Sequence, residues 1–223
     1  MHSKLLTLPL IATALIAAPA WAGEDIQHWE TLNVTVNLPD DFKLNSETVT
    51  RSSDARGFYE VEENVMIGKK VSKKVTVWLG YTYNPTYLQG QFRAREHRFR
   101  QQVNFDNVAQ LGKIRIGGRV RLEERWRVGQ QGTAWRLRPQ VKATLPLPNK
   151  FSLNVAHESF IDLNTRTFQR VEGYERMRNS ISLGVPLNKN LSMDVGYLNQ
   201  HGFAPNAVDS SDHVITLGLS GTF

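Results

Sequence analysis

Apolar and polar residues alternate one by one along most of this chain. In Arg115–Val128, RIGGRVRLEERWRV, arginines stand at 115, 119, 121, 125 and 127, with Ile116, Val120, Leu122 and Trp126 between them. A helix, which repeats about every 3.6 residues, would scatter both sets around its circumference. A strand sends successive side chains to opposite faces, so the same spacing gives one apolar face, broken by Glu124, and one charged face.

The alternation recurs from end to end. Its apolar phase includes Leu32, Val34 and Val36; Tyr59, Val61, Val65 and Ile67; Val75, Val77, Leu79 and Tyr81; and Phe99, Val103 and Phe105. It continues through Leu137, Val141, Ala143 and Leu145; Phe151, Leu153 and Val155; Ile181, Leu183 and Val185; Leu191, Met193, Val195 and Tyr197; and Ile215, Leu217, Leu219 and Phe223. No amphipathic helix is predicted after Ala22. Short connections (Pro39–Asp41, Gly68–Lys73, Ala109–Gly112, Pro146–Lys150, Pro186–Asn190) alternate with mostly longer, more polar ones (Ser52–Gly57, Asn84–Ala94, Gly129–Ala134, Ile161–Val171, Asn199–Asp212).

This pattern predicts an all-β fold, an antiparallel transmembrane β-barrel of about 10–12 strands with short periplasmic turns and longer extracellular loops. Residues 23–223 form one barrel domain in this reading. A soluble lipocalin-like barrel also alternates its loops, and it stays open as a periplasmic binder of an anionic ligand. Aromatic residues near strand ends (Tyr81, Tyr83, Trp126, Trp135, Tyr197, Phe223) favour the membrane form, in which they make interfacial girdles. The segments number eleven, whereas bacterial single-chain barrels have even counts. Either Gly23–Leu38 is two pieces or it does not join the wall as a full strand. Glu63, Gln101, Glu124 and Asn179 break the apolar phase, Pro139 predicts a bulge or local break, and Gly117–Gly118 predicts a bend.

The ends of the chain fix a compartment. MHSKLLTLPLIATALIAAPAWA has Lys4, an apolar run interrupted by Pro9 and ended by Pro19, and Ala20-Trp21-Ala22 before Gly23. It is read as a secretory signal peptide of residues 1–22 with an A-x-A cleavage site; the run is short for a membrane span. The chain has no cysteine, so neither disulfides nor a lipoprotein anchor nor cysteinyl metal sites are available. The last strand, HVITLGLSGTF, resembles the C-terminal strand by which the barrel assembly machinery recognises outer-membrane barrels. The expected location is the Gram-negative outer membrane, with membrane lipid and lipopolysaccharide as surroundings and a monomeric state.

Charge adds the main chemical feature. The formal charge is +6, yet Arg93–Lys142 alone carries thirteen Lys/Arg against four acids, an excess of nine. Arg98, Arg100, Arg115, Arg119, Arg121, Arg125, Arg136, Arg138 and Lys142 are expected to face inward from three neighbouring strands. Glu60, Glu62, Glu96, Glu123 and Glu158, with Asp194, are the acidic residues that could pair with them. The mean hydropathy of −0.38 suits a polar lumen. Arginine forks bridging carboxylates would fill a narrow bore; an unfilled one would be a porin-like, anion-attracting pore. Export sets aside nucleic-acid binding, which a pI near 9.6 would otherwise suggest.

Catalytic candidates are sparse. His157-Glu158-Ser159 resembles the H-x-S dyad of the outer-membrane lipid A deacylase at those letters only, and the surroundings do not match. The pair is read as a rim histidine and serine, a lipid-acting enzyme being the alternative. No metal-ligand spacing, phosphate-binding glycine loop or cofactor motif is present.

The stretches IQHWETLNVTVNLPDDFKL, EHRFRQQVNF, RIGGRVRLEERW, AWRLRPQVKATLPL and NLSMDVGYLNQ together resemble a bacterial outer-membrane family catalogued as domain of unknown function 2490. Glu96-His97-Arg98 and Leu122-Glu123-Glu124-Arg125 are its most specific pieces, and the likeness runs from Trp29 to Phe223. The resemblance implies an outer-membrane barrel and no reaction, ligand or catalytic residue. The expected function is structural or narrowly pore-forming.

Overall fold

The computed structural model describes residues 24–205 and 207–223; residues 1–22, expected to be a leader, and Gly23 lie outside the described residues. Eleven strands close into one barrel in the order β1-β11-β10-β9-β8-β7-β6-β5-β4-β3-β2. They are β1 (Glu24–Asn37), β2 (Phe42–Ser53), β3 (Gly57–Ser72), β4 (Val75–Leu88), β5 (Gln91–Leu111) and β6 (Ile114–Arg127). The rest are β7 (Ala134–Pro146), β8 (Ser152–Asp162), β9 (Gly173–Pro186), β10 (Leu191–Gly202) and β11 (Ser210–Thr222). Each strand hydrogen-bonds its sequence neighbour antiparallel.

The seam corrects the expectation of a wholly antiparallel, even-stranded wall. β1 is one continuous strand of 14 residues and pairs in parallel with β11, from Glu24↔Ser211 to Thr35↔Thr222. An up-and-down chain of odd count brings its first and last strands in pointing the same way, so closure requires a parallel pair. Parallel pairing is slightly weaker per residue, but an unclosed sheet would expose two edges of unpaired N–H and C=O groups. Phe223 extends the seam: its N–H donates to the Thr35 carbonyl at 2.9 Å, and its carbonyl accepts from the Asn37 N–H at 2.7 Å. The two ends of the barrel therefore differ. β1 starts among the longer loops, while β11 ends among the short turns.

Two local expectations change, and a third, the break at Pro139, takes a specific form. Tyr59 belongs to the inner face, because a bulge at Arg51/Ser52 shifts the β2–β3 register and reverses the parity beyond it. Its hydroxyl donates to Gln27 Oε1 at 2.6 Å, and Phe58 takes the outward position. The expected loop Asn84–Ala94 is almost wholly strand: β4 and β5 run on to a Gln89–Gly90 turn, both residues at positive φ (51° and 76°) as a tight hairpin turn requires. At Pro139 the register of β7 is unshifted, and only the ladder to β8 lapses, between Leu137↔Ile161 and Gln140↔Glu158, because proline has no N–H to donate.

The distribution of side chains is inverted relative to a soluble domain. Among the described residues, buried polar and charged side chains number 22 (among them Arg100, Glu123, Asn64 and Gln27) against eight buried hydrophobic ones. The outer face carries Leu32, Val65, Ile67, Leu79, Val141, Val155, Ile181, Leu183, Val195, Ile215 and Leu217, all exposed. Polar residues on that face pair with each other: Thr48 with Glu63 at 2.7 Å, Thr50 with Glu30 at 2.8 Å, and Gln101 with Glu124 at 3.0 Å.

Candidate functional site

The inner faces of β3, β5, β6, β7 and β8 converge on a ladder of arginines and carboxylates. Alternation places Glu62, Arg98, Arg100, Arg121, Glu123, Arg138 and Glu158 in the bore, all buried. Glu62 accepts from Arg100 at 2.7 Å and Arg98 at 3.0 Å, and lies 3.5 Å from Arg51. Glu123 accepts from Arg138 at 2.9 Å and from Arg100 Nε at 3.0 Å. Glu158 accepts from Arg119 at 2.9 Å and Arg138 at 3.1 Å. Toward the long-loop end Glu96 gathers Arg98 (2.6 Å), Arg125 (2.9 Å) and Arg127 (3.1 Å), while Glu60 takes Arg51 at 2.7 Å. Arg51, Arg98, Arg100 and Arg138 each contact two carboxylates, so releasing one of them disturbs both.

The structure places the remaining residues singled out in the sequence as follows. Arg136 is buried on Asp162 at 2.6 Å. Arg115 and Lys142 lie apart from the ladder, exposed at the short-turn end, where with Arg119, Asn104 and Gln140 they line a cavity of about 320 Å³. Asp194 meets no arginine: its Oδ1 lies 3.4 Å from Asn154 Nδ2 and from Ser182 Oγ. Sequence reasoning missed Arg51, Arg176, Arg178, Asp162 and Glu175, although Arg176 and Arg178 show the same odd–even spacing as Arg119 and Arg121. It also missed the aromatic part of the filling. The Arg138 and Arg178 guanidiniums lie 4.3 and 4.6 Å from the Phe160 ring centre, and Arg51 lies 4.2 Å from that of Trp29. Arg178 hydrogen-bonds Gln200 at 2.9 Å, and its charge rests on the ring faces of Phe160 and Trp29.

At the long-loop end the β8–β9 connection folds inward. Gln169 is buried, accepts from Arg125 Nη1 at 2.7 Å and donates to the Trp135 carbonyl at 2.9 Å. Beneath it remains a polar cavity of about 600 Å³ lined by Arg98, Arg125, Arg127, Arg136 and Arg176 together with Glu60, Glu96 and Asp162. Among the described residues no group of three or more His, Asp or Glu side chains is placed to hold a metal ion.

The predicted His157–Ser159 pair is on the outer wall. His157 Nε2 and Ser159 Oγ are 3.0 Å apart. Two residues that sequence reasoning gave no chemical role join them: Asn179 Oδ1 is 2.7 Å from His157 Nδ1, and the Tyr174 hydroxyl is 2.9 Å from Ser159 Oγ.

Fold and site together define a closed all-β barrel with a charge-filled interior and an apolar exterior. The chain belongs to the family described as "Protein of unknown function (DUF2490)", whose model matches residues 26–211. An uncharacterized protein of Methylorubrum extorquens is 26% identical over 228 residues, covering 98% of this chain and 97% of that one. No solved structure matches.

Proposed function

We propose that the mature chain is an outer-membrane β-barrel whose lumen is closed by its own arginine–carboxylate ladder, a membrane-embedded body and not an open channel. The inversion of burial carries this reading. A wall with Leu, Ile and Val outward and 22 polar side chains buried inward is stable only where the outside is apolar. Pairing of Glu30, Glu63 and Glu124 with neighbouring hydroxyl or amide groups supports it, since polar atoms on such a wall need internal partners. Export by the leader 1–22, with a mature start at Gly23, and short turns toward the periplasm complete the reading.

The ladder supports closure. Arg100 and Glu123 have no exposed side-chain surface, and the residues around them link β3, β5, β6, β7 and β8 across the bore. The test is refolding into lipid vesicles followed by planar-bilayer recording. The expected result is heat-modifiable gel mobility without steady conductance. Steady anion-selective channels would reject closure, and release of the protein from cells by osmotic shock would favour a soluble periplasmic barrel that holds an anion in the mouth cavity.

A further inference from the structure

The lumen leaves the His157–Ser159 cluster unexplained. On β8 the two residues point outward, two positions apart. Asn179 is the residue opposite His157 in the β8–β9 register. Tyr174 faces outward because the register shifts at Phe160/Ile161, which re-aims β9 beyond that point. An asparagine oxygen can only accept, so Nδ1 of His157 carries the ring proton and Nε2 is left as the acceptor for the Ser159 hydroxyl. With Ser159 donating to the ring, Tyr174 donates to Ser159 Oγ. Nucleophile, base and orienting group thus stand in the order and at the distances of a serine-hydrolase triad. At two other histidines of the outer wall, His97 and His213, the partner of Nδ1 is instead a phenol hydroxyl, that of Tyr81 and Tyr197.

The surroundings supply a place for a substrate. Gly118 leaves a dent in the outer wall between Ile116 and Val120, and flat Pro139 lies beside it. Phe105, Val108, Ile116, Val120 and Val141 line a furrow of about 290 Å³ that reaches His157 and Ser159. Ser159 is three residues from the end of β8 at Asp162, which is about 10 Å along the strand below the long loops. On a lipid-embedded barrel this sets Ser159 in the half of the wall toward the long loops, with His157 at the middle of β8.

We propose that Ser159, His157 and Asn179 form a hydrolase site on the outer wall that cleaves long-chain acyl esters of the surrounding lipid; this rests on the membrane reading above. Ser159 Oγ bonds to the ester carbonyl carbon as its proton passes to His157 Nε2. The carbonyl oxygen becomes an oxyanion within reach of the Tyr174 hydroxyl. Collapse breaks the bond to the alkoxy oxygen, which leaves as the alcohol with the proton from His157, and the acyl group stays on Ser159. Water, deprotonated by His157, then releases the fatty acid and restores the serine. Asn179 keeps the ring in the required tautomer throughout.

The test uses the mature barrel refolded into vesicles, with a long-chain alkylsulfonyl fluoride as active-site probe. Peptide mass mapping reads the Oγ–sulfonyl adduct formed as fluoride leaves. Fatty-acid release is followed from diacylphosphatidylethanolamine in one arm and from lipopolysaccharide in the other. The expected result is labelling at Ser159 with release in at least one arm, which identifies the source of the ester. Ser159→Ala abolishes both, and His157→Ala lowers them about 10²–10⁴-fold. Asn179→Ala lowers them less, and Asn179→Asp, which still accepts from Nδ1–H, restores them. An unlabelled Ser159 without fatty-acid release, in barrels shown by heat-modifiable mobility to be folded in the bilayer, would overturn the proposal. So would labelling that survives His157→Ala. Barrels that do not insert at all would refute the membrane reading, and the hydrolase proposal with it.

Discussion

Replacing Glu123 with alanine removes the acceptor on which two strands of the inner wall are tied together. Glu123 has no exposed side-chain surface; it accepts from Arg138 at 2.9 Å and Arg100 at 3.0 Å, and Arg121 is 3.9 Å away. Breaking a buried ion pair by deleting one partner costs roughly 3–5 kcal/mol, because the remaining charge is stranded. Arg100 keeps Glu62 at 2.7 Å and Arg138 keeps Glu158 at 3.1 Å, which holds the cost toward the low end of that range. The contrast is Arg119→Ala. Arg119 is 25% exposed, and its carboxylate, Glu158, still has Arg138, so about 1 kcal/mol is expected after solvent screening. Urea titration of vesicle-refolded barrels, followed by tryptophan fluorescence and by gel mobility without boiling, measures both. A 3 kcal/mol loss lowers the folding constant more than hundredfold, against several-fold for Arg119→Ala. Glu123→Gln, which keeps an acceptor but not the charge, should fall between them. Equal stability of Glu123→Ala and Arg119→Ala, or a gain in the former, would refute the idea that the central carboxylate holds the cations together.

Opposite faces of one strand should answer charge differently. Leu217→Arg sets a cation on the outer face and costs about 2–4 kcal/mol near a bilayer midplane, whereas a Cβ at Gly218 meets only ordinary contact with Asp194, so Gly218→Arg should be tolerated better; comparative refolding yields test this. Gly118→Ala should destabilise by about 1–3 kcal/mol in the same titration, because its methyl group would land on the Gln140 backbone carbonyl. The parallel seam puts the start of β1 and the short turns at opposite ends, so an epitope placed before Glu24 should bind antibody on intact cells. One inserted in the 187–190 turn should bind only after permeabilisation.

Period-two alternation made the wall legible, since each residue declares its face independently of its partners. It failed where parity is reset by a feature that single residues do not announce. The bulge at Arg51/Ser52 turned Tyr59 inward, and the shift at Phe160/Ile161 turned Tyr174 outward beside Ser159. The polar stretch Asn84–Ala94 was expected to be a loop, but β4 passes through Pro85, where the ladder to β3 lapses between Glu60↔Thr86 and Glu63↔Tyr83. Phase alone named Glu60, Glu62, Glu96, Glu123 and Glu158 as partners of the arginines, but it missed Asp162 and Glu175 and wrongly added Asp194. Which carboxylate meets which guanidinium depends on cross-strand register, and so does the approach of Asn179 to His157 across the 163–172 connection. In the alternation Asn179 is only a defect; opposite His157 it becomes the hydrogen-bond partner of the ring. The count of eleven was legible in the alternation; the parallel closure it requires was hidden by the expectation of an even number.

The central claim is that the apolar wall faces lipid and the charged wall does not. The chain has no cysteine, so single cysteines can carry an environment-sensitive fluorophore at will. Val155, Leu183 and Leu217 report the outside, while Lys142 and Thr144 report the cavity of about 320 Å³ inside. In vesicles containing lipid brominated along its acyl chains, the first three should be strongly quenched and the last two should not. Equal quenching of both sets, or none at Val155, Leu183 and Leu217, would contradict the account.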